Sequence, residues 1–186
     1  MNAILHRQRL SLGTVTDEHL LEIEKWFLNS QFMRNLDAEP ARPKNLDSLK
    51  KWREEALNSD KHFLFSISES DNFIGYVELS GILWNQRNGW VAIAIGNPDN
   101  QAKGHGSEAM ELLINYAFHE LNLHRLQLTV FEYNQHAISL YKKLGFTYEG
   151  AQREFVIRDG EAYDMLMYGL LQREWSERKA AEKLEE

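Results

Sequence analysis

The chain has 186 residues, enough for one domain whose core buries well over half of the unfolded surface. It contains no cysteine, which excludes disulfide scaffolds, zinc–thiolate sites and cysteine nucleophiles. Asp plus Glu number 28 against 21 Lys plus Arg, a formal net charge of -7, so the basic face that a nucleic-acid binder needs is not expected.

The acidic excess has two readings, solubility or the attraction of a small cationic substrate. The opening stretch from Met1 to Val15 lacks the long apolar run of a signal peptide, and no segment reaches membrane-spanning length. A cytoplasmic protein with neither membrane nor nucleic-acid partners is therefore expected.

In chain order, Arg9 to Val15 reads as a first strand. Thr16 then caps a helix from about Asp17 to Leu28, with Leu20, Leu21, Ile23, Trp26 and Phe27 on its apolar side. Pro40 and Pro43 mark a loop, and Asp47 begins a second helix. Two strands follow, His62 to Ser68 and Phe73 to Leu83, joined by the turn-forming run from Glu69 to Asn72. A polar hairpin, Asn85 to Asn88, leads into a strand from Gly89 to Ile95.

The second half begins with a long helix from Gly104 to Leu121. The strand Arg125 to Phe131 alternates Leu126, Leu128 and Val130 with Gln127 and Thr129. Asn134 starts another helix that stops at Gly145, and a long hairpin, Phe146 to Leu171, turns at Arg158-Asp159-Gly160. Direct hairpins mixed with helices imply an α+β domain around one mixed sheet. Residues 1–172 are expected to form this domain and residues 173–186 a charged, solvated helical tail.

The chemistry lies where the strand ending at Ile95 gives way to a glycine-rich turn and then to a long helix. The first N–H groups of such a helix have no intrahelical partners, and the helix dipole adds partial positive charge there. Gly104 and Gly106 lack a Cβ, so a pyrophosphate can approach the backbone; Lys103 adds a charge and Ser107 a hydroxyl. An ordinary helix start with two turn glycines reads the same way. The run from Gly104 to Ala109 also fits G-x-G-x-x-A, but a dinucleotide loop sits tightly within a βαβ unit. Here about eight residues and Pro98 intervene, after antiparallel hairpins.

Further on, Asn134 is a good N-cap, Tyr133 and Ile138 hold hydrophobic-staple positions, and Gly145 suits a left-handed helix end with Phe146 packing back. Gln101-x-x-Gly104-x-Gly106 resembles the diphosphate loop of the GNAT N-acetyltransferase superfamily. The run from Asn134 through Ala137 and Tyr141 to Lys143, Gly145 and Phe146 resembles a second segment of that superfamily. The likeness covers roughly residues 73–171, and it is nearest to the spermidine and ribosomal-protein alanine N-acetyltransferase branch.

The resemblance implies a GNAT fold, a central mixed and mostly antiparallel sheet of about seven strands flanked by about four helices. It implies acetyl-CoA as cosubstrate and no metal. Gln101, Ala102, Lys103, Gly104, His105, Gly106 and Ser107 would hold the diphosphate. Ile93, Ala94 and Ile95 would hold the pantetheine arm through their backbone, joined by Asn134, Ala137 and Lys143. Tyr141 would stand near the sulfur as general acid for the departing thiolate; a core tyrosine bonded to a backbone carbonyl is the other reading.

The attacking amine must be neutral, and Glu78 is the nearest candidate base, or else a glutamate on an exposed strand face. The implied acceptor is a small amine such as a polyamine, or a peptide N-terminus. Ser80-Gly81-Ile82 stands where the polyamine enzymes commonly carry a further acidic residue. An aminoglycoside or other small-amine acetyltransferase and a non-catalytic acyl-CoA sensor are the alternatives. A homodimer or a higher homo-oligomer is compatible with the resemblance.

Overall fold

A computed structural model describes residues 5–7, 9–96 and 103–184. Among these the chain runs β1 (Leu10–Gly13), α1 (Asp17–Trp26), α2 (Ser30–Leu36), α3 (Leu46–Leu57), β2 (Phe63–Glu69), β3 (Asn72–Leu83), β4 (Asn88–Ile95) and α4 (His105–Asn115). A π-helical turn (Tyr116–Glu120) extends α4, and β5 (Arg125–Phe131), α5 (Gln135–Lys143), β6 (Thr147–Arg158), β7 (Glu161–Leu171) and α6 (Gln172–Glu182) complete it.

The seven strands form one sheet in the order β1-β2-β3-β4-β5-β7-β6. Every pairing is antiparallel except β4 with β5. This is the α+β architecture expected from the hairpin pattern. The six helices of the described residues exceed the expected four. One addition is α2, a short helix capped by Asn29, whose side chain accepts from the amides of Gln31 and Phe32. Its seven residues are too few for periodicity to declare a helix, and it sits in a stretch otherwise read as loop.

Alternation along β3 divides the core. Val77 and Leu79 face one side with α4, α5 and the π-helical turn. Tyr76 faces the other, with α1, α3 and Trp52. Local signals set several ends. Thr16 caps α1 in a reciprocal box with His19. Gly145, at φ +90, closes α5 as expected. The long helix expected from Gly104 to Leu121 changes register at Tyr116, where five-residue π bonding begins.

The expected solvated tail is corrected. Trp175 is 1% exposed and belongs to the main core, and its indole N–H donates to Asn115 Oδ1 at 2.9 Å. Burying an indole removes far more apolar surface from water than the charged remainder of α6 exposes, so the helix docks.

Candidate active site

β4 and β5 pair only over Asn88↔Arg125, Gly89↔Leu126 and Trp90↔Gln127. Beyond that point β4 stays on β3 as far as Ile95↔Gly75, and β5 stays on β7 as far as Phe131↔Met165. The two parallel strands therefore part from Val91 onward, and backbone groups of β4 on that side lose their ladder partners. A cleft of about 480 Å³ opens there.

One side of the cleft is made of Ile93 to Gly96 on β4, Gly104, Gly106 and Ser107 at the start of α4, and Asn134 to Lys143 on α5. Gly96 is dictated by packing: a Cβ there would lie 1.8 Å from the indole of Trp26. Gly104 is the N-cap of α4 at φ +86, a conformation that glycine adopts without strain, and no side chain caps the helix. The amides of Gly106 and Ser107 are thus left with neither an intrahelical acceptor nor a cap. A Cβ on Gly106 would lie 3.4 Å from Leu140 and 3.8 Å from Ile93, both lining residues, so the missing methyl is cleft space. An uncapped helix start facing an open space fits a diphosphate.

Ile93, Ala94, Ile95, Gly104, Gly106, Ser107, Asn134, Ala137 and Lys143 come together around this space. Gln101 and Ala102 lie outside the described residues. Lys103 is exposed at the mouth, where its carbonyl accepts from Arg9 at 3.4 Å; Arg9 also pairs with Glu108 at 3.1 Å. His105 is 2% exposed, and its Nε2 lies 3.0 Å from Glu69 Oε1. Its imidazole therefore faces Glu69, and His105 is not among the cleft residues. The side-chain oxygen of Asn134 accepts from Ala137 N at 3.2 Å, which leaves its NH2 for another acceptor.

Tyr141 is 6% exposed and packs edge-on to Phe146 at 5.8 Å between centroids. Its hydroxyl has no hydrogen-bond partner among the described residues, unlike the carbonyl-bonded core tyrosine that was the alternative. Burial pushes this phenol up to about 12, so it is neutral and a donor at any physiological pH. Glu78 stands in register with Ala92 and turns to the α1–α3 side. Its Oε1 accepts from Trp52 Nε1 at 3.0 Å and lies 3.2 Å from His62 Nε2. It is neither exposed nor among the cleft residues.

The opposite wall was not anticipated. Asn29, Gln31, Phe32, Asn35 and Leu36, on or capping α2, face the cleft across from β4. The apolar triplet Phe32, Met33 and Leu36 behind an Asn cap was the available signal. Among the described residues no group of three His, Asp or Glu side chains could hold a metal, and no helix is long and apolar enough to cross a membrane.

A family model described as an acetyltransferase (GNAT) domain matches residues 12–167. The chain is 31% identical over 121 residues to the spermidine N(1)-acetyltransferase of Vibrio cholerae, covering 65% of this chain and 69% of that one. It is 25% identical over 170 residues to the prophage-derived uncharacterized N-acetyltransferase YokL of Bacillus subtilis, covering 90% and 93%. Among solved structures, spermidine N-acetyltransferase from Vibrio cholerae in complex with CoA and spermine superposes with a TM-score of 0.82. That match is at 26% identity and covers 91% of this chain and 99% of the other. The chain belongs to the GNAT acetyltransferase family and is an acetyl-CoA-dependent N-acetyltransferase.

Proposed function

We propose that the protein transfers an acetyl group from acetyl-CoA to a primary amine of a small polyamine-like molecule by direct attack. The observation that carries this reading is the parting of β4 from β5 beside the uncapped start of α4. In that frame the amides of Gly106 and Ser107 receive the diphosphate, with Lys143 as a nearby cation, and the free edge of Ile93 to Ile95 receives the pantetheine amides. The cosubstrate supplies an activated thioester carbonyl.

Tyr141 donates a hydrogen bond to the thiolate as it leaves. Thiols titrate near 8.5, so outright proton transfer from a phenol at about 12 is uphill by roughly three pK units. The hydroxyl acts chiefly by stabilising developing negative charge in a dry place, with the proton following from solvent.

Glu78 is the proposed acceptor of the amine's proton, held by Trp52 and backed by His62, which can pass the proton outward. A cationic acceptor is favoured by the carboxylates near α2 and the β6–β7 turn, among them Asp37, Glu39 and Glu161. The spermine bound in the related structure supports the same substrate class.

The test is thiol release from acetyl-CoA with spermidine, spermine, alanine-initiated peptides and aminoglycosides. Turnover with the polyamines above the others is expected. Thiol release with none of these amines, despite CoA binding, would overturn the reading in favour of an acyl-CoA sensor.

A further inference from the structure

The α2 wall of the cleft belongs to no ladder. It is packed on α1 through Phe32, whose ring meets Trp26 and Phe27 edge-on at 5.9 and 5.6 Å. Met33 is buried in the same cluster and Asn29 caps the helix, while its longer-range polar ties come from far along the chain. Arg34 makes a two-pronged pair with Asp159 in the β6–β7 turn, at 2.7 and 2.8 Å. The Tyr133 hydroxyl, one residue before the cap of α5, donates to the carbonyl of Arg34.

Just past α2, Arg158 Nη2 is met by three successive carbonyls, those of Asp37 and Ala38 at 3.0 Å each and of Glu39 at 3.4 Å. A stretch that turns three consecutive carbonyl dipoles toward one point needs positive charge at that point. Arg158 provides it, and the segment leads straight into Pro40 and Pro43, which cannot donate backbone hydrogen bonds of their own.

We propose that Arg158 and Arg34, with Asp159, are positioning residues that hold α2 and the segment 37–39 as a roof over the amine-receiving part of the cleft. They thereby set which acceptors fit. This rests on the amine-transfer reading above. The diphosphate side does not depend on the clasp, because it is made by β4, α4 and α5, to which the Arg34 and Arg158 side chains make no hydrogen bond among the described residues. The two functions of the cleft should therefore separate when the clasp is cut. Arg34 and Arg158 are not among the lining residues and take no part in the proposed chemistry. Their effect is on the position of Phe32, Asn35 and Leu36 and on the entrance between α2 and the β6–β7 turn.

The experiment compares wild type, Arg158→Ala, Arg158→Lys, Arg34→Ala and the exchanged pair Arg34→Asp with Asp159→Arg. Acetyl transfer to spermidine is followed at saturating acetyl-CoA, CoA binding by calorimetry, and folding by thermal melts. Arg158→Ala should raise the spermidine KM about ten-fold or more, with kcat and the CoA Kd within about two-fold.

Arg158→Lys should recover most of the KM, because one ammonium can still face the carbonyls. The exchanged pair should recover what Arg34→Ala loses. An unchanged spermidine KM in folded Arg158→Ala overturns the proposal, as does a CoA Kd that weakens in step with KM. Were wild type itself inactive on every amine while binding CoA, the amine-transfer reading would fall instead.

Discussion

At Ile93 to Gly96 and at Gly104, Gly106 and Ser107 the cleft wall is main chain, whereas the facing wall at α2 is held by side chains. On the first side β4 is locked to β3 by pairing up to Ile95, and the start of α4 presents amides whose direction is fixed by the helix itself. On the second side one short helix depends on Arg34, Tyr133, Asp159 and Arg158. Partners in that set are 99 to 125 residues apart in sequence. A wall of backbone tolerates many side-chain changes and suits a cosubstrate that does not vary. A wall of side chains is adjustable, and suits the partner that differs between related enzymes.

Tyr141→Phe gives the largest effect on the first wall's chemistry. Turnover should fall about ten- to a thousand-fold, the scope of one acid or hydrogen-bonding group. CoA binding should be unchanged, since the hydroxyl makes no hydrogen bond that holds a described residue in place. Steady-state rates beside calorimetry separate the two, and unchanged turnover would remove Tyr141 from the mechanism.

Glu78→Gln acts from neither wall. At neutral pH it should lower kcat/KM by roughly a hundred-fold, and the deficit should shrink as pH rises and the amine deprotonates unaided. A loss of the same size at every pH would make Glu78 only an anchor for Trp52.

The smallest effect is on stability. The folded phenol of Tyr141 holds its proton more tightly than the unfolded one, with a pKa near 12 against 10. Its contribution is therefore whole below about pH 10 and is lost between about pH 10 and about pH 12, roughly 2–3 kcal/mol in all. Denaturant melts across that range should show the wild type weakening more steeply than Tyr141→Phe. Parallel slopes would place the hydroxyl in water.

The first wall was largely legible in the sequence for the same reason that it is robust. Caps and left-handed glycines act within four or five residues, so Asn134, Gly104 and Gly145 announce themselves. Strand alternation places β5 at its true ends, Arg125 and Phe131, and the turn at Arg158-Asp159-Gly160 places β7 from Glu161 to Leu171. The second wall was not legible.

Seven residues cannot display a helical period, and nothing near Arg158 in sequence indicates that its guanidinium will meet the carbonyl of Asp37. The resemblance places His105 in the diphosphate loop, but at the first position of α4 its imidazole lies against Glu69. Trp175 was assigned to a solvated tail because the surrounding charges outvoted one indole, and burial energy goes with area rather than with the count of residues.

The central claim is that uncapped main-chain amides at the start of α4 bind the diphosphate of CoA in the space beside Gly106. Gly104→Val would confound it, because φ +86 strains any branched residue there. Gly106→Val does not: Gly106 has no positive φ, and a Cβ there already meets Leu140 and Ile93 at 3.4 and 3.8 Å, so the two further methyls take up cleft space. Calorimetric titration of CoA into wild type and Gly106→Val, beside thermal melts, is therefore the most direct measurement. The account predicts a cooperatively melting variant with at least ten-fold weaker CoA binding. Wild-type affinity in the folded variant would contradict it.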